Sequence, residues 1–424
     1  MFIDDQIANL TRRIKNIGDN PDPRYMKCNK LLYEVERDEW QEIKDNWQAG
    51  KPFAMLGNAG RLTGPLGFAT GLGLSGWGDR ATDPWKYLDI AVNKFGFPEH
   101  TCDRTIIPVG VYLSGDAPLP KVMASMCSPC EPERISAMAI AKYLGILFFE
   151  LTRGENAEDN GEANIHYMAE QFAELIEFCE KSIAGIKYNE EKLIAGLERD
   201  RLAAPYIRDL YELRKRVPCP VSSQDVTRLG LLPGGDDDPR GLEYLKQYHE
   251  EMFERAEKGM SGVAEEKLRI LWTATFNYGR GTMDLLAKKG VSLVWFNNGT
   301  GPLRYGIGGF PHEVADVIGR KLTPLEEIAA RSNLNTWGST ADRWIDPIIK
   351  ISRDLKVDAI VDFQQVGCIV TKGFNKITAE RVRDELGIPL LALEGRERFM
   401  RDGERDLMYK RLDEFLDMCI ANKN

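Results

Sequence analysis

Histidine is almost missing from this 424-residue chain: only His100, His166, His249 and His312 occur, none at metal-ligand spacing. That scarcity excludes histidine-rich metal centres and leaves thiols as the available soft ligands. Long hydrophobic runs are also lacking. No stretch of about 18 uncharged apolar residues exists, so neither a spanning helix nor a membrane partner is expected. The start, Met1-Phe2-Ile3-Asp4-Asp5, does not show the basic-then-apolar order of a signal peptide, so a cytoplasmic chain is expected. No G-x-x-x-x-G-K-[ST] occurs, which removes P-loop nucleotide hydrolysis. Basic residues number 56 against 65 acidic ones, for a net charge of −9. That balance argues against nucleic acid as a partner, although it leaves room for a local basic cleft.

What remains is ordinary for a globular protein, with 43% apolar and 29% charged residues. The length allows two domains with a helical insert. Residues 1–48 read as a charged helical segment with Trp40 and Trp47 on one face. Residues 49–160 read as a first α/β lobe. It has a short strand at Pro52–Leu56, an apolar run from Leu119 to Met126, and a buried strand at Leu144–Glu150. Residues 161–264 read as a helical span, in which Phe172, Leu175, Ile176 and Cys179 recur on one helix face and mark core. Residues 265–424 read as a second α/β lobe. Strands are expected at Arg269–Thr273, Val291–Phe296, Ala359–Phe363 and Leu390–Glu394, with helices between them. Alternation of this kind implies parallel sheets, so the fold expected is two parallel-sheet lobes joined by helices.

Gly71-Leu72-Gly73-Leu74-Ser75-Gly76 matches G-x-G-x-x-G, but Trp77-Gly78-Asp79 and a further loop follow it. A dinucleotide fingerprint requires a strand before the glycines and a helix opening within them. No helix is expected there, so a mobile or tightly packed glycine loop is the preferred reading. Asp236-Asp237-Asp238 lacks the spacing of a calcium loop and reads as a solvated turn.

The chemistry sits in the cysteines, at positions 28, 102, 127, 130, 179, 219, 368 and 419. In a long cytoplasmic chain such thiols stay reduced, and those outside the core are metal ligands or nucleophiles rather than disulfides. Cys127 and Cys130 form C-x-x-C inside Met126-Cys127-Ser128-Pro129-Cys130-Glu131-Pro132, directly after an apolar run. That pair fits a zinc site, a redox pair or iron–sulfur ligation. Structural zinc would need a second local pair, which is missing. Acids beside the thiols would raise their pKa and so work against a redox pair. Cys102 and Cys368 each follow a strand-like run or a break into a loop. Cys28, Cys219 and Cys419 have no ligand-like context.

Cys102 before Asp103, Met126-Cys127-Ser128, and Gly367-Cys368 after a strand resemble the benzoyl-CoA reductase and 2-hydroxyacyl-CoA dehydratase family. The likeness is to its longer cluster-bearing subunits and continues through Leu386-Gly387-Ile388-Pro389-Leu390-Leu391-Ala392-Leu393-Glu394-Gly395. It covers most of the chain from about residue 50 to residue 420, in order. The resemblance implies two flavodoxin-like (Rossmann-like) lobes with a [4Fe–4S] cluster in the cleft between them. By position, Cys102, Cys127 and Cys368 would be its ligands and the fourth iron would be open. Cys130 is additional: a further ligand, a neighbouring thiol or inert. Arg396 stands where the family carries Asp or Asn.

The implied function is one-electron reduction of an aromatic acyl-CoA through a ketyl radical anion, as in benzoyl-CoA reductase. Trp272, Trp295, Phe296, Trp337 and Trp344 in the second lobe lean that way. The alternatives are a subunit of an (R)-2-hydroxyacyl-CoA dehydratase and a non-catalytic electron relay. The implied partners are an acyl-CoA substrate, a related cluster-bearing subunit in a heterodimer, and a separate ATP-hydrolysing iron–sulfur activator. Arg269, Arg280 and Arg304 are candidates to meet CoA phosphates.

Overall fold

The computed structural model describes residues 2–18, 25–126, 130–153, 161–223, 225–228, 232–235, 238–273, 280–297, 318–334, 340–396 and 398–423. Two helices lead the chain, α1 (Phe2–Gly18) and α2 (Asn29–Gln48), packed on each other. Phe2, Trp40 and Trp77 form an aromatic knot with centroids 5.6–5.8 Å apart, which seats this pair on the first lobe. The Glu251 carboxylate accepts the amides of Lys27 and Cys28 at 2.8 and 2.6 Å. A negative charge there complements the positive N-terminal end of α2.

The first lobe contains β1 (Ala54–Met55), α3 (Leu74–Asp79), α4 (Pro84–Asp89), α5 (Asp103–Ser114), β2 (Val122–Met126), α6 (Glu131–Leu144) and β3 (Leu147–Leu151). Its strands pair in parallel in the order β1-β2-β3. Two sequence expectations are corrected here. The glycines do open a helix, α3, but residues 56–73 separate it from β1, so no strand–tight turn–helix unit forms. Packing differs along the segment: a side chain at Gly78 would put a Cβ 2.9 Å from the Pro108 ring, whereas one at Gly73 would meet nothing within 4 Å. Strand β3 is not a buried strand, because it lies at the sheet margin, leaving Leu147 38% exposed.

The helical span follows as α7 (Glu162–Ser182), α8 (Glu190–Leu213) and α9 (Arg240–Glu257). Phe172, Leu175, Ile176 and Cys179 are buried together against Ala54, Val122 and Ala124 of the first sheet. Cys179 is therefore core, as its helical spacing indicates.

The second lobe comprises β4 (Leu268–Thr273), α10 (Arg280–Lys289), β5 (Val291–Asn297), α11 (Pro324–Leu334), α12 (Ala341–Asp354), β6 (Ala359–Gln365), α13 (Ile369–Gly373), α14 (Asn375–Leu386), β7 (Leu390–Gly395) and α15 (Asp402–Lys423). Its sheet is parallel throughout, in the order β5-β4-β6-β7. The strands are apolar on both faces because helices cover both. Ile270, Trp272, Val361 and Phe363 pack with α15 residues such as Leu412 and Leu416. The alternate residues Leu271 and Ile360 pack with Trp344, Ile345 and Ile348 of α12. Thr323 and Glu326 start α11 reciprocally: Thr323 Oγ1 accepts the Glu326 amide at 3.3 Å and Glu326 accepts the Thr323 amide at 2.9 Å.

Taken within the lobe, that order is 2-1-3-4, the opening order of a flavodoxin-like sheet, with its switch point between β4 and β6. The molecule is thus two parallel α/β lobes with helices in front of the first and between the two. Ligand sites collect beyond strand carboxyl ends at such a switch point, and β6 delivers Gly367-Cys368 to that place.

Candidate functional site

Three cysteines start helices at this edge: Cys102 caps α5, Cys130 caps α6 and Cys368 caps α13. Aligned peptide dipoles make each helix start mildly positive, which favours thiolate over thiol. Burial opposes them. It pushes the Cys102 thiol well up, and the charges of Asp103, Cys130 and Cys368 push it further, against the amide of Arg104. Cys130 is raised by burial, then by Glu133 and Cys368, against the amide of Glu133 and the charge of Arg104. Cys130 and Cys368, one from each lobe, are therefore near enough to Cys102 for their charges to reach it. The acids flanking C-x-x-C raise the thiol, as their sequence positions imply.

Cys127 lies outside the described residues, as does Arg304. Among the described residues, no group of three His, Cys, Asp or Glu side chains could hold one metal ion. Ligands of a cubane cluster are spread across the cube and stand further apart than ligands of one ion. Soft thiols gathered at three helix N-termini from both lobes are a donor set of the kind iron–sulfur clusters use. On that chemistry the residues fit the group.

Gly367 explains how the lobes come so close. Its φ is +81°, and an added Cβ would stand 2.4 Å from the Cys102 amide nitrogen and 2.7 Å from the His100 carbonyl oxygen. Only glycine offers both the left-handed backbone and the empty space. Gly367→Ala is expected to cost on the order of 1–3 kcal/mol from backbone strain alone. It should also pull the Cys102 loop away from Cys368. A urea-unfolding midpoint unchanged from wild type would contradict this.

Second-lobe residues grip the same loop. Gln365 Nε2 donates to Asp103 Oδ1, and the Arg398 amide donates to Asp103 Oδ2 at 2.7 Å. Arg396 donates to the Glu99 carbonyl at 2.9 Å and the Thr101 carbonyl at 3.4 Å, with its guanidinium 4.6 Å from the Phe399 ring centroid. Burial pushes Asp103 above the usual carboxylate range, while the Arg398 amide and the charges of Arg396, Arg398 and Arg104 pull it back. Asp79 is held low, against burial, by Arg104 and Arg398, which sit 2.7 and 3.0 Å from it. The sequence marks Arg396 only as a departure from the family. Its role shows once β6 and β7 lie side by side, with Gln365 opposite Gly395.

Beside Cys368 opens a cavity of about 700 Å³, walled mostly by apolar groups including Phe97, Pro98, Pro132, Ile135 and Ile369. A second cavity, of about 350 Å³, lies among the glycines at 57, 60, 64, 71 and 73, with Arg61 and Lys192 on its wall. Arg269 does not face a ligand. It is 2% exposed at the amino end of β4, paired with Glu266 and bonded to the carbonyls of Leu355, Arg216 and Arg214. Trp272, Trp295, Phe296 and Trp344 are likewise core, each at most 6% exposed, and Trp337 lies outside the described residues.

No protein with a curated description matches the chain. The family model described as 2-hydroxyglutaryl-CoA dehydratase, D-component, matches residues 87–419, which takes in Cys102, Cys127, Cys130 and Cys368. No helix among the described residues is long and apolar enough to cross a membrane. The chain belongs to the 2-hydroxyglutaryl-CoA dehydratase D-component family and is a subunit of a 2-hydroxyacyl-CoA dehydratase-type enzyme.

Proposed function

We propose that this chain is the [4Fe–4S] subunit of an (R)-2-hydroxyacyl-CoA dehydratase, with Cys102, Cys127 and Cys368 as the cluster ligands. The observation that carries the reading is the apolar cavity against Cys368, roomy enough to admit the acyl end of a thioester to that thiol. A pure electron relay would have no use for such an opening. When bound, the cluster supplies single electrons and an iron able to act as a Lewis acid.

The chain's own residues supply the rest. Phe97, Pro98, Ile135 and Ile369 present an apolar surface to the acyl chain and exclude water. Besides Cys368, His100 and Lys372 stand on the cavity wall, placed to hold or move a proton at the substrate. Lys372 also meets Glu394 at 3.2 Å, at the end of β7. Overall, the α-hydroxyl and a β-proton leave as water. A related cluster-bearing subunit and a separate ATP-hydrolysing activator complete the enzyme in this reading.

Benzoyl-CoA reduction rests on the second-lobe aromatics. The four that are described fill the core and line neither of the two cavities above, so they do not support that lean. The complete enzyme, assayed anaerobically, is expected to turn over a 2-hydroxyacyl-CoA and to leave benzoyl-CoA unchanged. Turnover of benzoyl-CoA alone would overturn the dehydratase reading in favour of the reductase.

A further inference from the structure

The Asp103 carboxylate is buried at the junction of the two lobes, and neither oxygen faces solvent alone. Gln365 Nε2 donates to one and the Arg398 amide to the other, both from the second lobe, while Asp103 itself directly follows Cys102. Gln365 is the last residue of β6, three before Cys368, and Arg398 follows β7, the strand paired with β6. Arg396 adds two bonds to the backbone of the same loop, at Glu99 and Thr101. Arg401 meets the Glu99 carboxylate at 3.1 Å. One short stretch of the first lobe is thus held at several points by the ends of two adjacent strands of the second.

We propose that Asp103 is a positioning residue: its carboxylate bolts the Cys102 loop to the ends of β6 and β7. The bolt fixes the distance from Cys102 to Cys368 before any cluster is present. The consequence for a cluster rests on the ligand set proposed above; the bolt itself does not. Arg396 belongs to the same device, since it spans the lobes in place of an acidic residue.

Asparagine tests the bolt with little change of shape. It has one acceptor oxygen and one NH₂: with the NH₂ towards Arg398 that bond is lost, and with it towards Gln365 the glutamine amide must turn over and give up its 3.2 Å bond to the Val366 carbonyl. Either way a bond of the clasp is lost. In the cluster-free chain, Asp103→Asn is expected to raise amide exchange at least tenfold in residues 99–104 and 366–372, with α7 and α8 unchanged. In the reconstituted chain it should speed the release of iron to a chelator several-fold and alter the electron paramagnetic resonance signature of the cluster.

Unchanged exchange in both segments would overturn the proposal. Raised exchange in a chain whose wild type never takes up iron would uphold the bolt and reject the cluster ligand set. If Asp103→Asn does not fold, Gln365→Met removes one donor at similar length, and Arg396→Ala removes the flanking bonds. Either should loosen the same two segments, and wild-type exchange in both variants would again overturn the bolt.

Discussion

Cys368→Ala is expected to bring acyl-CoA turnover to background while leaving the far-ultraviolet circular dichroism of the chain unchanged. The fold around Cys368 does not depend on its sulfur. Gly367 makes the tight approach to the Cys102 loop, the hydrogen bonds across the lobes come from Gln365 and the residues after β7, and α13 contributes only one short turn of helix. The thiol is half-buried at the cavity wall, where a substrate would meet it. Losing it removes chemistry rather than packing. Retention of more than a tenth of wild-type turnover in a correctly folded variant would contradict this placement.

The second large effect lies away from the cysteines. Asp200 on α8 accepts from Arg61 at 2.5 Å and from Arg331 on α11, and Arg331 also meets Glu327, which in turn meets Arg201. Asp200 and Arg331 are almost wholly buried, and Arg61 stands on the wall of the glycine-lined cavity. Asp200→Ala removes the carboxylate that two guanidinium groups share, so the positive charge gathered in this low-dielectric site faces one carboxylate fewer. Breaking a buried pair in this way costs about 3–5 kcal/mol. The urea midpoint is expected to fall accordingly, and the first-lobe helices should exchange faster. Asp200→Asn, which keeps an acceptor but loses the charge, should fall between the two. A midpoint within error of wild type for Asp200→Ala would show that the network is not a stability element.

Much of this molecule can be read from its residues because parallel sheets covered on both faces leave a strong signature. Ile270-Leu271-Trp272 and Ala359-Ile360-Val361 are apolar runs bounded by helices, and both fall in strands. The helix starts at Thr323-Pro324 and the stripe through Cys179 follow from local chemistry alone. Three features did not follow. Strand β3 has the same apolar composition as a buried strand, and only its place at the sheet margin exposes it. The glycines before Trp77 open a short helix whose burial against α5 a linear reading cannot show. The aromatics of the second lobe look like a substrate pocket in sequence, because a buried ring and a ligand-facing ring share one residue type.

At the site, Cys102 and Cys368 stand out by their positions after strands and breaks. The clasp on Asp103 was invisible because its parts come from positions 103, 365, 396 and 398, brought together only by strand order. Glutamines at 364 and 365, polar at the end of an apolar strand, were the one available signal. The first serves Asp362, to which its amide donates at 2.7 Å, and the second serves Asp103.

The most direct test of the central claim is anaerobic iron and acid-labile sulfide analysis of the reconstituted chain, in wild type and in four single variants: Cys102→Ala, Cys127→Ala, Cys130→Ala and Cys368→Ala. The expected result is about four irons and four sulfides per chain in wild type, as for a [4Fe–4S] cluster. Both should be lost on removal of Cys102, Cys127 or Cys368, and largely retained on removal of Cys130. Loss in Cys130→Ala with retention in Cys102→Ala or Cys127→Ala would contradict the ligand set, and a wild type without labile sulfide would contradict the cluster.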